Sequence, residues 1–282
     1  LYRIADKPWV IGEFVWTGFD YLGEPTPYDE YWPSRSSYFG IFDLAGLPKD
    51  RYFLYRSHWN KQENTIHLLP HWTFPGREGE TTPVYCYTNH PTAELFVNGV
   101  SQGRITKRHN QAATYDKGGR ITDISNPCID RYRLRWNNVA YQPGELKVVV
   151  YDSEGNKVGE ETVHTAGSAH SIHLAGDLGA SVKPLKADGE DLTFITVSIL
   201  DEEGNLVPDA DNQIKVSVAG SAAFRGICNG DATSLEPFTS PAMKAFHGQL
   251  AFCIQNNGKT GPATVKVTSK GLKTASLTIT SE

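Results

Sequence analysis

The residues best suited to chemistry lie near the start of the chain. Trp16, Asp20, Tyr21 and Glu24 fall within nine positions of one another. An indole brings large apolar area at small entropic cost, with one N–H for orientation. A carboxylate at Asp20 or Glu24 could accept hydroxyl groups or orient a partner side chain. Alternatively it could stabilise the loop through bonds to its own backbone, as Asp does in turns. Glu13 lies in mid-strand in this reading and is taken as an interior packing carboxylate.

Other candidates are weaker. His67 and His71 share a strand face and His170 and His173 do not, but neither pair has cysteines or carboxylates at ligand spacing. No metal or other cofactor is expected. The acidic group Asp201, Glu202, Glu203, Asp209 and Asp211 lacks a calcium-loop pattern and reads as solvated turns. Four cysteines in 282 residues are too few for a disulfide scaffold. Cys86 reads as a buried thiol, and Cys228 and Cys253 could pair. A net charge of −5 argues against a nucleic-acid footprint, and no apolar run approaches a membrane span.

The elements that would position Trp16 can be read next. Val10, Ile11, Phe14, Val15 and Trp16 make a nearly unbroken apolar run, which suits a strand buried on both faces. In a barrel of alternating strands and helices, the loop after Trp16 would open at the face where active sites sit. Pro48 suits a first helical turn, and Tyr52, Tyr55 and Trp59 follow at helical spacing. Residues 62–166 read as all-β, with strands at 65–69, 83–88, 93–97, 132–136, 146–151 and 157–164. Asn98-Gly99 marks a two-residue hairpin. About seven short strands suggest an immunoglobulin-like sandwich. Thr106 to Asp130 is a long polar stretch. Residues 167–282 alternate again at Ile195–Ile199, Ile214–Val218, Val265–Val267 and Leu277–Ile279, predicting a second sandwich with no repeat of letters between the two.

The stretches GEFVWTGFDYLGEPTPY and YFGIFDLAGLPKDRYFLYRSHW resemble the last barrel strand and helix of family 2 glycoside hydrolases, and most of all their β-galactosidase branch. HWTFPGREGE, AELFVNG and YQPGELKVVVYD resemble the sandwich that follows, and NGDATSLEPF a bacterial immunoglobulin-like domain that closes many of these enzymes. The resemblance implies a mainly β chain: residues 1–61 as the remnant of a (β/α)8 barrel, then sandwiches at 62–166 and 167–282. It implies a retaining mechanism on β-galactosides with both catalytic glutamates before Leu1, so that the chain alone is inactive. It makes Trp16 a wall of the sugar subsite; Asp20, on the loop beyond it, is taken from its type and position as a second substrate-binding residue. It also suggests a periplasmic or secreted protein. Self-association through residues 1–61, or docking of that segment on the 62–166 sandwich, would cover its apolar surface. The alternatives are a β-glucuronidase or β-mannosidase of the same family, or non-catalytic carbohydrate-binding or structural modules. Trp32, Trp59 and Trp72 are further candidates for exposed sugar platforms.

Overall fold

The computed structural model describes residues 9–12, 14–108 and 130–282. Glu13, the first eight residues and most of the polar stretch after Thr106 lie outside the described residues. The chain forms two compact units. One contains Asp50–Thr165 with the described residues up to Val15. The other contains Trp16–Lys49 with Ala166–Glu282.

In the first unit the helix α1 (Asp50–Trp59) is followed by seven strands: β1 (Ile66–Leu69), β2 (Val84–Thr88), β3 (Thr92–Val97), β4 (Val100–Thr106), β5 (Leu134–Trp136), β6 (Glu145–Tyr151) and β7 (Lys157–His164). They make two antiparallel sheets, β1-β2-β5 and β4-β3-β6-β7. Period-two sequences bury one face of each: Val84, Cys86 and Thr88 on β2, and Ala93, Leu95 and Val97 on β3. These inward faces meet in a core with Trp72, Leu134, Tyr141, Leu146 and Val148. Removing one such aliphatic side chain from water stabilises by about 1.5–3 kcal/mol. The β3–β4 hairpin turns at Asn98 and Gly99, with φ of 48° and 78°, as a two-residue turn with two positive φ angles requires.

α1 belongs with this sandwich for a chemical reason. Asp50 in its first turn favours the helix dipole, and its carboxylate also meets His67 Nε2 at 2.8 Å. Phe53 stacks on the His67 ring at 3.7 Å. His67 therefore joins the helix to the sheet. Cys86 is fully buried, and burial pushes its thiol up to about 12.

The second unit holds β8 (Ser171–Ala175), β9 (Leu192–Leu200), β10 (Gln213–Gly220), β11 (Ala222–Cys228), β12 (Ala242–Lys244), β13 (Gln249–Asn256), β14 (Gly261–Thr268) and β15 (Ala275–Ser281). The sheets β11-β13-β9-β8 and β12-β10-β14-β15 enclose Ile195, Val197, Ile199, Ile214, Met243, Leu250, Phe252 and Val265. Cys228 and Cys253 sit on neighbouring strands as free thiols.

Three expectations need correction. Val10 to Trp16 form no strand among the described residues, and Ile11 and Phe14 are exposed. A strand exists only through its ladder partners, and none pairs with this run. Residues 16–49 pack with the last sandwich, where docking on the 62–166 sandwich is the expectation. There is also a small repeat of letters. Asp152-Ser-Glu-Gly-Asn156 and Asp201-Glu-Glu-Gly-Asn205 fold alike: each aspartate N–H donates to its asparagine carbonyl, and each aspartate Oδ1 accepts the N–H groups two and four residues on.

Candidate functional site: the loop after Trp16

Residues 16–42 fold back on themselves. The N–H groups of Ile41 and Phe42 donate to the carbonyls of Thr17 and Gly18, at 3.0 and 2.8 Å, and Asp20 N–H donates to Phe42 O at 2.9 Å. Ser37 N–H then donates to Tyr21 O, and Gly23 N–H to Arg35 O, both at 2.9 Å. Phe19 stacks on Phe42 at 5.1 Å. Gly40 is required at this crossing: a Cβ there would lie 2.6 Å from the carbonyl carbon of Phe19.

Asp20 is the fastener. It is only 8% exposed. Its Oδ1 accepts from Gly40 N–H at 2.8 Å and from Ser37 Oγ at 3.2 Å, while Oδ2 pairs with the Lys49 ammonium. Lys49 also donates to Tyr38 O at 3.1 Å. A carboxylate engaged in this way ties Ser37, Gly40 and Lys49 of its own segment together. The reason is local: a buried carboxylate must be satisfied, and the donors that satisfy it come from its own loop.

Trp16 is the opposite case, a residue that is 73% exposed. It is joined to Thr17 by a cis peptide bond. Its Nε1–H donates to Tyr21 Oη at 3.1 Å, and the two rings meet edge to face at 6.2 Å. Tyr21 Oη in turn donates to Glu24 Oε2, and this bond to Glu24 raises the phenol above its ordinary value. Phe39 also packs edge to face on Tyr21, at 5.9 Å. The result is an open apolar face with a polar rim. It can pack the C–H face of a ring-shaped polar ligand and hydrogen-bond its edge. Glu24 accepts from Tyr21, whereas Asp20 accepts from Gly40, Ser37 and Lys49.

The other aromatic candidates separate. Trp72 is a fully buried core residue whose Nε1–H donates to Gln142 O. Trp59 stacks on Tyr55 at 4.5 Å. Trp32 is 80% exposed on the loop. His71 packs on Phe74 at 4.4 Å. Among the described residues, no three His, Cys, Asp or Glu side chains gather as a metal site would require. Tyr21 was visible in the sequence only as part of a loop; its place beneath Trp16 depends on the fold-back at Gly40.

The chain thus combines an exposed aromatic face on a pinned loop with two antiparallel sandwiches. Comparison with known proteins gives its family. Residues 177–278 match the glycoside hydrolase family 2 C-terminal domain 5, and residues 79–159 match a domain of unknown function, DUF4982. The chain is 43% identical over 99% of its length to the β-galactosidase BoGH2A of Bacteroides ovatus, covering 29% of that protein. It is 32% identical over 81% of its length to a putative β-glucuronidase of Formosa agariphila, covering 20% of that protein. It superimposes on a β-glycosidase from Bacteroides vulgatus with a TM-score of 0.82 and 34% identity, over 99% of this chain and 32% of the other. The chain belongs to glycoside hydrolase family 2 and corresponds to a C-terminal part of such a protein. It spans about a third or less of the length of these relatives.

Proposed function

We propose that this chain is the C-terminal part of a retaining β-galactosidase that hydrolyses terminal β-galactosides. Residues 16–49 form one wall of its sugar pocket, and Trp16 is the stacking surface. Asp20, in place of a direct sugar contact, holds the loop that presents this ring. The observation that carries the reading is the exposed Trp16 face, held edge to face by Tyr21, on which Phe39 packs in turn. Double displacement through a covalent glycosyl-enzyme needs an acid/base and a nucleophile. We assign neither to this chain.

Two observations favour galactose over glucuronate. The similarity to the β-galactosidase BoGH2A is higher and covers more of the chain than the similarity to the putative β-glucuronidase. A glucuronidase needs a cation for the substrate carboxylate, and Arg35 is the only one between Gly18 and Tyr38. Its guanidinium lies 5.3 Å over the Phe238 ring, which favours a structural use. The test is a panel of chromogenic β-galactoside, β-glucuronide and β-mannoside on the protein that carries this chain. Preference for the galactoside in kcat/KM is expected. Preference for the glucuronide would overturn the sugar assignment and leave the family intact.

A further inference from the structure

Residues 229–238 of the last sandwich, Asn-Gly-Asp-Ala-Thr-Ser-Leu-Glu-Pro-Phe, lie in the connection from β11 to β12 and meet the loop that carries Trp16. Arg35 N–H donates to Ala232 O at 3.0 Å, and the Arg35 guanidinium covers the Phe238 ring. Gly230 stands against Asp43. It has φ +80°, and a Cβ there would lie 2.7 Å from Asp43 Cγ and closer still to one of its oxygens. Asp43 is itself fixed, because its Oδ1 accepts the N–H groups of Ala45 and Leu47 at 2.8 and 2.9 Å.

The connection is stiff on its own account. Buried Asn229 donates to Lys244 O at 3.1 Å and accepts from Asp231 N–H at 3.1 Å. Asp231 Oδ1 accepts from both the N–H and the hydroxyl of Thr233, at 2.8 and 2.7 Å. Glu236 accepts from Lys244 N–H at 3.1 Å, and Phe238 O accepts from Ile227 N–H at 2.9 Å. A rigid connection pressed against both ends of the 35–43 segment restricts the strand-like pairing that places Trp16 and Tyr21.

We infer that the last sandwich is a brace for the sugar-pocket loop, with Gly230, Phe238 and Arg35 as positioning residues for Trp16. Its effect on turnover rests on the functional reading above; its effect on the loop does not. A loop wall displaced by about 1 Å can cost up to about a hundredfold in rate, so a remote sandwich can tune catalysis without touching substrate.

The experiment uses the complete protein carrying Gly230→Ala, and separately the milder Phe238→Leu in case the first does not fold. Hydrogen exchange is followed by mass spectrometry across residues 16–49 and across β9, β13, β10 and β14, together with kcat and KM. The brace predicts that exchange in 16–49 speeds up by about tenfold or more, with the four strands unchanged. KM should rise more than kcat falls, since the wall binds the sugar and performs no bond-breaking. Faster exchange with unchanged kinetics upholds the brace and counts against Trp16 as a pocket wall. Unchanged exchange in 16–49 in either folded variant overturns the brace.

Discussion

The indole N–H of Trp16 donates to the hydroxyl of Tyr21, and the Tyr21 O–H donates in turn to Glu24. This relay fixes the ring plane of an otherwise exposed tryptophan. Tyr21→Phe keeps the aromatic support and deletes both bonds. On the proposed role for Trp16, kcat/KM should fall by an amount equivalent to about 0.5–1.5 kcal/mol. Stability should move by no more than about 0.5 kcal/mol, as for most surface substitutions. Steady-state kinetics and a denaturant midpoint on the same preparation give both values.

Asp20 holds Ser37, Gly40 and Lys49 at once. Asp20→Ala leaves the Gly40 N–H and the Lys49 ammonium without this acceptor. It should cost about 1–3 kcal/mol of stability and open residues 16–49 to proteases, while the cores of both sandwiches stay protected. Limited proteolysis with mass mapping of the first cuts checks this. First cuts outside the loop would argue against Asp20 as its fastener.

Asp201 supplies the pH dependence. Burial works against its charge, but hydrogen bonds from Gly167, Asn205 and Glu203 outweigh that and hold its carboxyl below the usual range. Its folded pKa is thus lower than the unfolded value of about 3.9, so the unfolded chain takes up the proton first as pH falls. The stability it contributes is present above about pH 4 and is lost as pH drops through the folded pKa. Asp201→Ala should cost about 1–3 kcal/mol at neutral pH, and the gap from the parent should narrow in acid. Urea midpoints at neutral and acid pH measure it. A gap that stays constant would mean that the charge is not what matters.

The architecture was largely legible because each sandwich strand carries its own burial signal. Period-two alternation in Val84–Thr88 or Ile214–Val218 reports a half-buried strand wherever its partners come from. Asn98-Gly99 reports its turn by backbone chemistry alone. The run from Val10 to Trp16 carries equally strong apolar residues, yet a strand buried on both faces is defined by neighbours, and none pairs with it among the described residues. The site was half legible. Trp16 stands out by type and position. The division of labour between Asp20, turned inward, and Tyr21 with Glu24, turned toward Trp16, depends on Gly40 crossing Phe19 and on Lys49 returning from the start of α1. No local pattern encodes contacts over those separations. The Asp43–Gly230 approach is longer-ranged still.

The purified chain by itself should not release chromophore from a nitrophenyl β-galactoside at any concentration tested, because we place both catalytic carboxylates elsewhere in the protein. Turnover that a single carboxylate substitution in this chain abolishes, Glu13→Gln for instance, would reassign the chemistry to it.

The most direct measurement takes Trp16→Ala in the complete protein and compares kcat/KM with the denaturation midpoint. Loss of a stacking wall predicts a fall in kcat/KM worth about 2–4 kcal/mol, from the aromatic area removed and the usual effect of a large truncation, with the midpoint close to that of the parent. A midpoint that drops sharply while kcat/KM per folded molecule stays at the parent value would make Trp16 a packing residue and contradict the account.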